Sequence, residues 1–223
     1  EYAHEILSVG QRRGNLITIL SGLCCLGLLA MWRDQFDEAE RLFIECLTIA
    51  RDIRSLDEWF YRWELARVAW AAGNLPRAEA LYTEVLTLGR EYVQKPLQAC
   101  ILFGLGRVAY DRGNYDRARE YLLEALASYP DFSTAIWDIT YMPETLAFVE
   151  IAQNNLVKAV WLLGATQAYC ERFKRLRTSK ERAMREKAIE TARAALGENL
   201  FTSAWEEGIA MDLKQVLNLS AAR

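Results

Sequence analysis

The chain has 223 residues, and 27 Lys and Arg against 30 Asp and Glu leave a net charge of −3, a balance that gives no general attraction to nucleic acid or to an anionic membrane. Hydrophobic residues make up 52% and charged residues 26% of the chain, so a real core can be buried. Only 4 Pro and 12 Gly punctuate it, too few for a sandwich or barrel that turns every 8 to 12 residues or so, and the composition points to helices.

The chain opens at Glu1 in what reads as the middle of a helix, and residues 1–15 are expected to be the second helix of a preceding, truncated repeat with its link, as in a piece of something longer. Leu16 to Met31 is the longest apolar stretch. Thr18 and Ser21 interrupt it and it falls short of the roughly 20 residues that span a bilayer, so it is expected to be a buried helix. From there the chain repeats itself. Leu26-Gly27-x-x-Ala30 aligns with Leu65-Ala66-x-x-Ala69, Leu105-Gly106-x-x-Ala109 and Leu146-Ala147-x-x-Glu150, and each is followed by a polar turn and then by Ala39, Ala78, Ala118 or Ala159. Those alanines are 39, 40 and 41 residues apart. Four positions later comes a large apolar residue (Phe43, Tyr82, Leu122, Leu163), and three further a smaller one (Cys46, Val85, Ala125, Thr166), which is helical spacing. Small residues let helices approach closely, and the turns at 33–36, 72–75, 112–115 and 153–156 are each expected to end a helix in a left-handed residue, a place that suits Gly or Asn. The expectation is four helix-turn-helix hairpins over residues 16–170. Ser55-x-x-Glu58 and Thr178-x-x-Glu181 read as capping boxes, and Pro76, Pro96 and Pro143 suit first helical turns.

This small-large pattern resembles the tetratricopeptide repeat, most fully at Gly106, Ala109, Ala118, Ala125 and Pro130. The period is longer than the roughly 34 residues usual for that family, and the aromatic early in the first helix is displaced. The resemblance implies an all-α, right-handed superhelix of antiparallel helix pairs. Residues 171–223 are expected to cap it, with Met211 to Leu219 as a final amphipathic helix. The last third, through Leu162-Leu163-Gly164-Ala165-Thr166-x-Ala168 and Ala194-Ala195-Leu196-Gly197-Glu198-x-x-Phe201-x-x-Ala204-Trp205-x-x-Gly208, is similar to the carboxy-terminal end of bacterial LuxR-type and related signal-transduction (STAND) ATPases. That similarity implies a sensor or scaffold region of a signalling or transcription regulator, with a nucleotide-binding domain upstream in the same polypeptide.

No phosphate loop, H-E-x-x-H or G-x-S-x-G is present, and no catalytic residue, metal site or cofactor is expected. Gly104-x-Gly106-x-x-Ala109 fits a dinucleotide pattern, yet it lies inside an expected helix and repeat packing explains it. His4 is the single histidine and is expected on the surface. Cys24, Cys25, Cys46, Cys100 and Cys170 form no C-x-x-C pair, which favours structural thiols in a reducing, cytoplasmic setting; that setting also empties the Asn218-Leu-Ser220 sequon of meaning. The paired carboxylates Asp37-Glu38 and Glu206-Glu207 suit helix starts or polar faces. Arg172, Lys174, Arg175, Arg177, Lys180, Arg182, Arg185 and Lys187 are interleaved with Glu171, Glu181, Glu186 and Glu190, and read as a solvated helix face rather than a nucleic-acid site.

The binding candidate is the face shared by the first helix of each pair, which lines the groove of such arrays. It comprises Trp63, Arg67, Trp70, Phe103, Arg107, Tyr110 and Phe148, with Arg67 and Arg107 at equivalent positions flanked by aromatics. Aromatics with arginine are hot-spot chemistry, suited to a peptide, protein or small-molecule inducer carrying carboxylate or phosphate. The competing reading packs these aromatics against adjacent helices, or against Trp137 and Trp161. A structural self-association module is the alternative function.

Overall fold

A computed structural model describes residues 1–55, 57–89, 95–128, 141–172, 176–212, 215 and 218. Pro130, Trp137, Lys174 and Arg175, and most of the expected final helix, lie outside the described residues. All regular elements among the described residues are helical, and they form two compact units, Glu1–Tyr92 and Val93–Arg223.

The first unit holds α1 (Tyr2–Arg13), α2 (Leu16–Trp32), α3 (Phe36–Asp52), α4 (Glu58–Ala71) and α5 (Leu75–Gly89), each packed antiparallel on the next. Glycine sets the closest approaches. A Cβ at Gly22 would lie 2.7 Å from Leu7 Cα, and one at Gly27 would lie 2.9 Å from the Phe43 ring. Phe43, Ala39, Cys46 and Ala50 are fully buried in this unit's core with Leu20, Leu23, Leu42, Leu65 and Val68. The small-large pattern therefore has a direct cause: the absent side chain on one helix is the space taken by the aromatic on the other.

The second unit holds α6 (Lys95–Asp111), α7 (Tyr115–Ala127), α8 (Met142–Ala152), α9 (Leu156–Arg172), α10 (Ser179–Leu196) and α11 (Glu198–Ala210). Gly106 faces Leu122 as Gly27 faces Phe43, with a Cβ placed 3.0 Å from Leu122 Cγ. Leu122, Ala125, Leu146, Ala147, Ala159 and Leu163 complete the core. The tightest crossing joins α9 to α11, where a Cβ at Gly164 would stand 2.6 Å from the Trp205 carbonyl oxygen and one at Gly208 would stand 2.8 Å from Trp161 Cα. Phe201 and Ala204 of α11 are buried beside Val160.

The hairpin turns divide their labour more finely than the sequence implies. Gly73 and Gly113 take the left-handed conformation, while Asn74 and Asn114 do not; their side chains accept from Arg77 N at 3.2 Å and Arg117 N at 3.3 Å, capping the next helix. In the first hairpin the left-handed residue is Asp34, at φ 59, neither Gly nor Asn; in the fourth it is Asn154, at φ 65. All four turns close with the same bond, Gln35, Asn74, Asn114 and Asn155 N donating to the carbonyls of Ala30, Ala69, Ala109 and Glu150 at 2.8 to 2.9 Å.

The capping box expected at Ser55 and Glu58 does not form. Ser55 Oγ instead accepts from Asp57 N at 3.1 Å, and Glu58 turns to Arg51 and Arg62. Helix α4 begins at Glu58 with Asp57 as its N-cap, so Ser55 lies before the cap and Glu58 stands at the first helical position, not the third that a capping box needs. The box at Thr178 and Glu181 forms in full. Pro76, Pro96 and Pro143 lie in the first turns of α5, α6 and α8.

Candidate functional site

In the first unit Trp63, Arg67 and Trp70 lie on α4. Trp63 is 5% and Trp70 2% exposed, and Arg67 is half-buried. The Arg67 guanidinium stands over the Trp63 ring at 4.8 Å, and its Nη1 donates to both carboxylate oxygens of Glu64, at 2.8 and 3.0 Å, one helical turn away on the same helix.

In the second unit Phe103, Arg107 and Tyr110 lie on α6 and Phe148 on α8. Phe103, Arg107 and Phe148 are buried, at 1%, 5% and 4% exposure, and Tyr110 is half-buried. The Arg107 guanidinium sits over Phe103 at 5.2 Å, as Arg67 sits over Trp63, and Tyr110 packs against Phe148 with ring centroids 6.0 Å apart. The carboxylate partner differs. Where α4 has Glu64, the equivalent position of α6 is Gly104, and Arg107 pairs instead with Glu181 of α10.

The two oxygens of Glu181 are divided between tasks. Oε2 accepts from Thr178 N at 2.8 Å and Thr178 Oγ1 at 3.1 Å, which is the helix cap, and Oε1 accepts from Arg107. Around this pair the start of α10, with the residue Arg177 just before it, makes further ion pairs with α6 and α8, two arginines sharing one carboxylate. Lys180 Nζ meets Asp111 Oδ2 at 2.6 Å, Arg177 Nη2 meets Glu144 Oε2 at 2.8 Å, and Arg185 joins the same oxygen of Glu144. A cleft remains between the three helices, lined by Arg107, Tyr141, Glu144, Thr145, Phe148, Glu181 and Met184. Burial raises the Tyr141 hydroxyl above its ordinary pKa, so it stays protonated and donates to the Leu176 carbonyl at 2.9 Å. Burial opposes the charge on Arg177, yet Glu144 beside it holds the guanidinium protonated.

The basic run is thus not simply a solvated face. Arg185 is buried and Arg177 half-buried, because Glu144 of α8 supplies both with a carboxylate that local helical spacing does not reveal. Glu144 and Glu181 were not among the expected site residues. A further buried carboxylate, Glu150, stands where the other repeats have alanine; Asn155 Nδ2 donates to its Oε2 at 2.8 Å, and Lys158 at 3.1 Å and Arg119 at 3.5 Å are ion-paired with its Oε1. His4 is exposed, and Gly104, Gly106 and Ala109 lie inside α6, as helix packing requires. Among the described residues no group of three or more His, Cys, Asp and Glu could hold a metal ion, and no helix is long and apolar enough to cross a membrane.

Antiparallel helix pairs stacked through small-for-large packing define a helical-repeat scaffold. Residues 19–54 and 56–131, together half of the chain, match the tetratricopeptide repeat family, and the chain belongs to the tetratricopeptide-repeat superfamily. Among solved structures, BtubC (BKLC) from P. vanneervenii is similar with a TM-score of 0.60 and 15% identity, over 99% of this chain and 89% of that one. A Podosopora anserina protein described as a putative kinesin light chain with nearly identical TPR-like repeats gives a TM-score of 0.55 at 22% identity, over 91% of this chain and 95% of that one; a single-residue variant of the same protein gives the same score and identity. These likenesses show the fold. A search of curated proteins finds no match to this sequence.

Proposed function

We propose that the chain is a protein-binding sensor or scaffold region that takes up peptide carboxylates on its first-helix faces, at Arg67 of α4 and Arg107 of α6, with the buried aromatics Trp63, Trp70, Phe103 and Phe148 and the half-buried Tyr110 forming the apolar floor behind them. The tetratricopeptide fold is generally a protein-interaction scaffold. The observation that carries the finer reading is the Arg107 guanidinium, backed by Phe103 and receiving a carboxylate from outside its own hairpin. A planar donor fixed on an aromatic face loses little freedom on binding and is suited to a carboxylate acceptor. The similarity of the last third to LuxR-type and related signal-transduction ATPases supports a place in a larger cytoplasmic bacterial regulator. There, binding at this face shifts an upstream nucleotide-binding domain between states by linkage.

Selection of peptides from a random phage-displayed library on the immobilised protein tests this reading. Peptides enriched in Asp or Glu at a fixed position, and lost when Arg67→Ala and Arg107→Ala are combined, are the expected result. Selected peptides without a positioned carboxylate would remove the arginines from the account.

A further inference from the structure

The attachment of α10 is uneven along its length. Its C-terminal half is anchored by apolar burial: Ala188 joins the main core of the unit, Ala192 packs with Val160, Phe201 and Ala204, and Ile189 and Leu196 lean on the same clusters. Its N-terminal half, with Arg177 and Thr178 before it, meets α6 and α8 largely through charges and α9 through polar bonds, Arg185 donating to Gln167 Oε1 and the Leu163 carbonyl and Arg177 to Cys170 Sγ. Arg107 meets Glu181, Asp111 meets Lys180, and Glu144 meets Arg177 and Arg185, with Met184 as a partly buried apolar contact. Buried ion pairs gain by Coulomb attraction about what they lose in desolvation, so a segment held this way is exchangeable for another of the same charge pattern. Gly104 adds a second reason, since α6 carries no carboxylate at the position where α4 supplies Glu64 to its arginine. Residues 177–185 therefore stand where an external ligand of this face would stand.

We infer that residues 177–185 are a built-in occupant of the α6–α8 binding face, and that the partner this face takes is a peptide presenting Lys-Glu-x-x-x-Arg, or the same charges in the same order, at the start of a helix. The inference rests on the proposed binding function and adds its regulation: partner binding displaces the N-terminal half of α10, while the apolar half and α11 remain in place. A partner with a carboxylate alone gains the Arg107 contact and leaves Asp111 and Glu144 without their cations, which is how the face discriminates.

The probe is a fluorescein-labelled peptide of residues 177–192, titrated by anisotropy into the full chain and into the Lys180→Ala, Glu181→Gln variant. Glutamine retains the reciprocal cap with Thr178 while removing the negative charge that faces Arg107, so α10 stays helical but loosely held. The opened variant is expected to bind the peptide about tenfold tighter or more than the wild type, and Arg107→Ala added to it abolishes the gain. Equal, Arg107-dependent binding to wild type and opened variant overturns the built-in occupant and leaves the binding face standing. Failure of both folded proteins to bind the peptide overturns the inference and counts against the face itself. Hydrogen exchange of the unmodified chain gives an independent reading: amides of 182–186, the first with intrahelical acceptors, are expected to open at lower free energy than those of the middle of α9 and α11, and protection equal to α9 overturns the latch without any variant.

Discussion

Arg107 and Glu181 stand 74 residues apart in sequence and form a half-buried ion pair, while the equivalent arginine of the preceding repeat, Arg67, is served by Glu64 three residues away on its own helix. Identical repeat positions thus carry different dependencies. Arg67→Ala alters one hairpin, whereas Arg107→Ala removes one of the two ion pairs between α10 and α6, the other being Lys180 with Asp111, and takes from Glu181 its partner on α6. Loss of one member of a buried pair costs about 3–5 kcal/mol at most, and retention of the Thr178 bonds to Glu181 reduces that here to roughly 2 kcal/mol. A double-mutant cycle of Arg107→Ala with Glu181→Gln in urea unfolding is expected to show coupling of about 1 kcal/mol or more. Strict additivity would mean the pair does not hold α10.

The glycines of α9 and α11 give a prediction of sign. Alanine for glycine inside a helix ordinarily stabilises by about 0.5–1 kcal/mol. At Gly208 the added methyl meets the Trp161 main chain, with Cα at 2.8 Å, which no rotamer change relieves. Overpacking of that kind costs about 1–3 kcal/mol and should win. Gly208→Ala is therefore expected to lower the urea midpoint of unfolding, and a raised midpoint would contradict the α9–α11 packing.

Glu58 gives the pH dependence. Its carboxylate accepts from Arg51 Nε at 3.0 Å and Arg62 Nη2 at 2.7 Å, and these bonds hold its pKa below the ordinary carboxylate value. A depressed folded-state pKa contributes stability above the unfolded value of about 4.3 and loses it as the pH falls through the folded one. Glu58→Gln should thus melt below the wild type near neutral pH, with the gap closing in acid. A gap that persists at low pH would place the effect elsewhere.

Cysteine reactivity separates the neighbours Cys24 and Cys25. Burial, reinforced by the Glu64 carboxylate and by Cys25, pushes the Cys24 thiol up to about 12, and burial likewise raises Cys46. Cys25 is exposed. The thiolate is the reactive form, so brief alkylation of the native chain near neutral pH should mark Cys25 ahead of Cys24, Cys46 and Cys170. Peptide mass spectrometry reads the order, and early labelling of Cys46 would contradict the packing of α2 on α3.

Much of the fold is legible in the sequence because repeat packing is local. Gly27 with Phe43, and Gly106 with Leu122, announce close helix approach through residue size alone, and the 39 to 41 residue spacing carries it along the chain. The Thr178–Glu181 cap is equally local. The Ser55–Glu58 box fails because α4 starts at Glu58, capped by Asp57, two residues later than the motif implies, and the Glu58 carboxylate then meets Arg51 and Arg62. The role of α10 is hidden for a different reason. Alternating charge is what a solvated helix shows, and the residues that change its meaning, Asp111, Glu144 and Arg107, lie on α6 and α8. One signal was present: Arg107 has glycine where Arg67 has glutamate, which raises the question of where its carboxylate comes from.

The central claim, that arginine on an aromatic face binds a peptide carboxylate, is tested most directly by calorimetric titration of a library-selected peptide into the wild type and into the folded Arg67→Ala, Arg107→Ala variant. The account predicts a loss of affinity of about tenfold or more, the scale of a binding hot spot. Unchanged affinity in a variant with native helix content would contradict it.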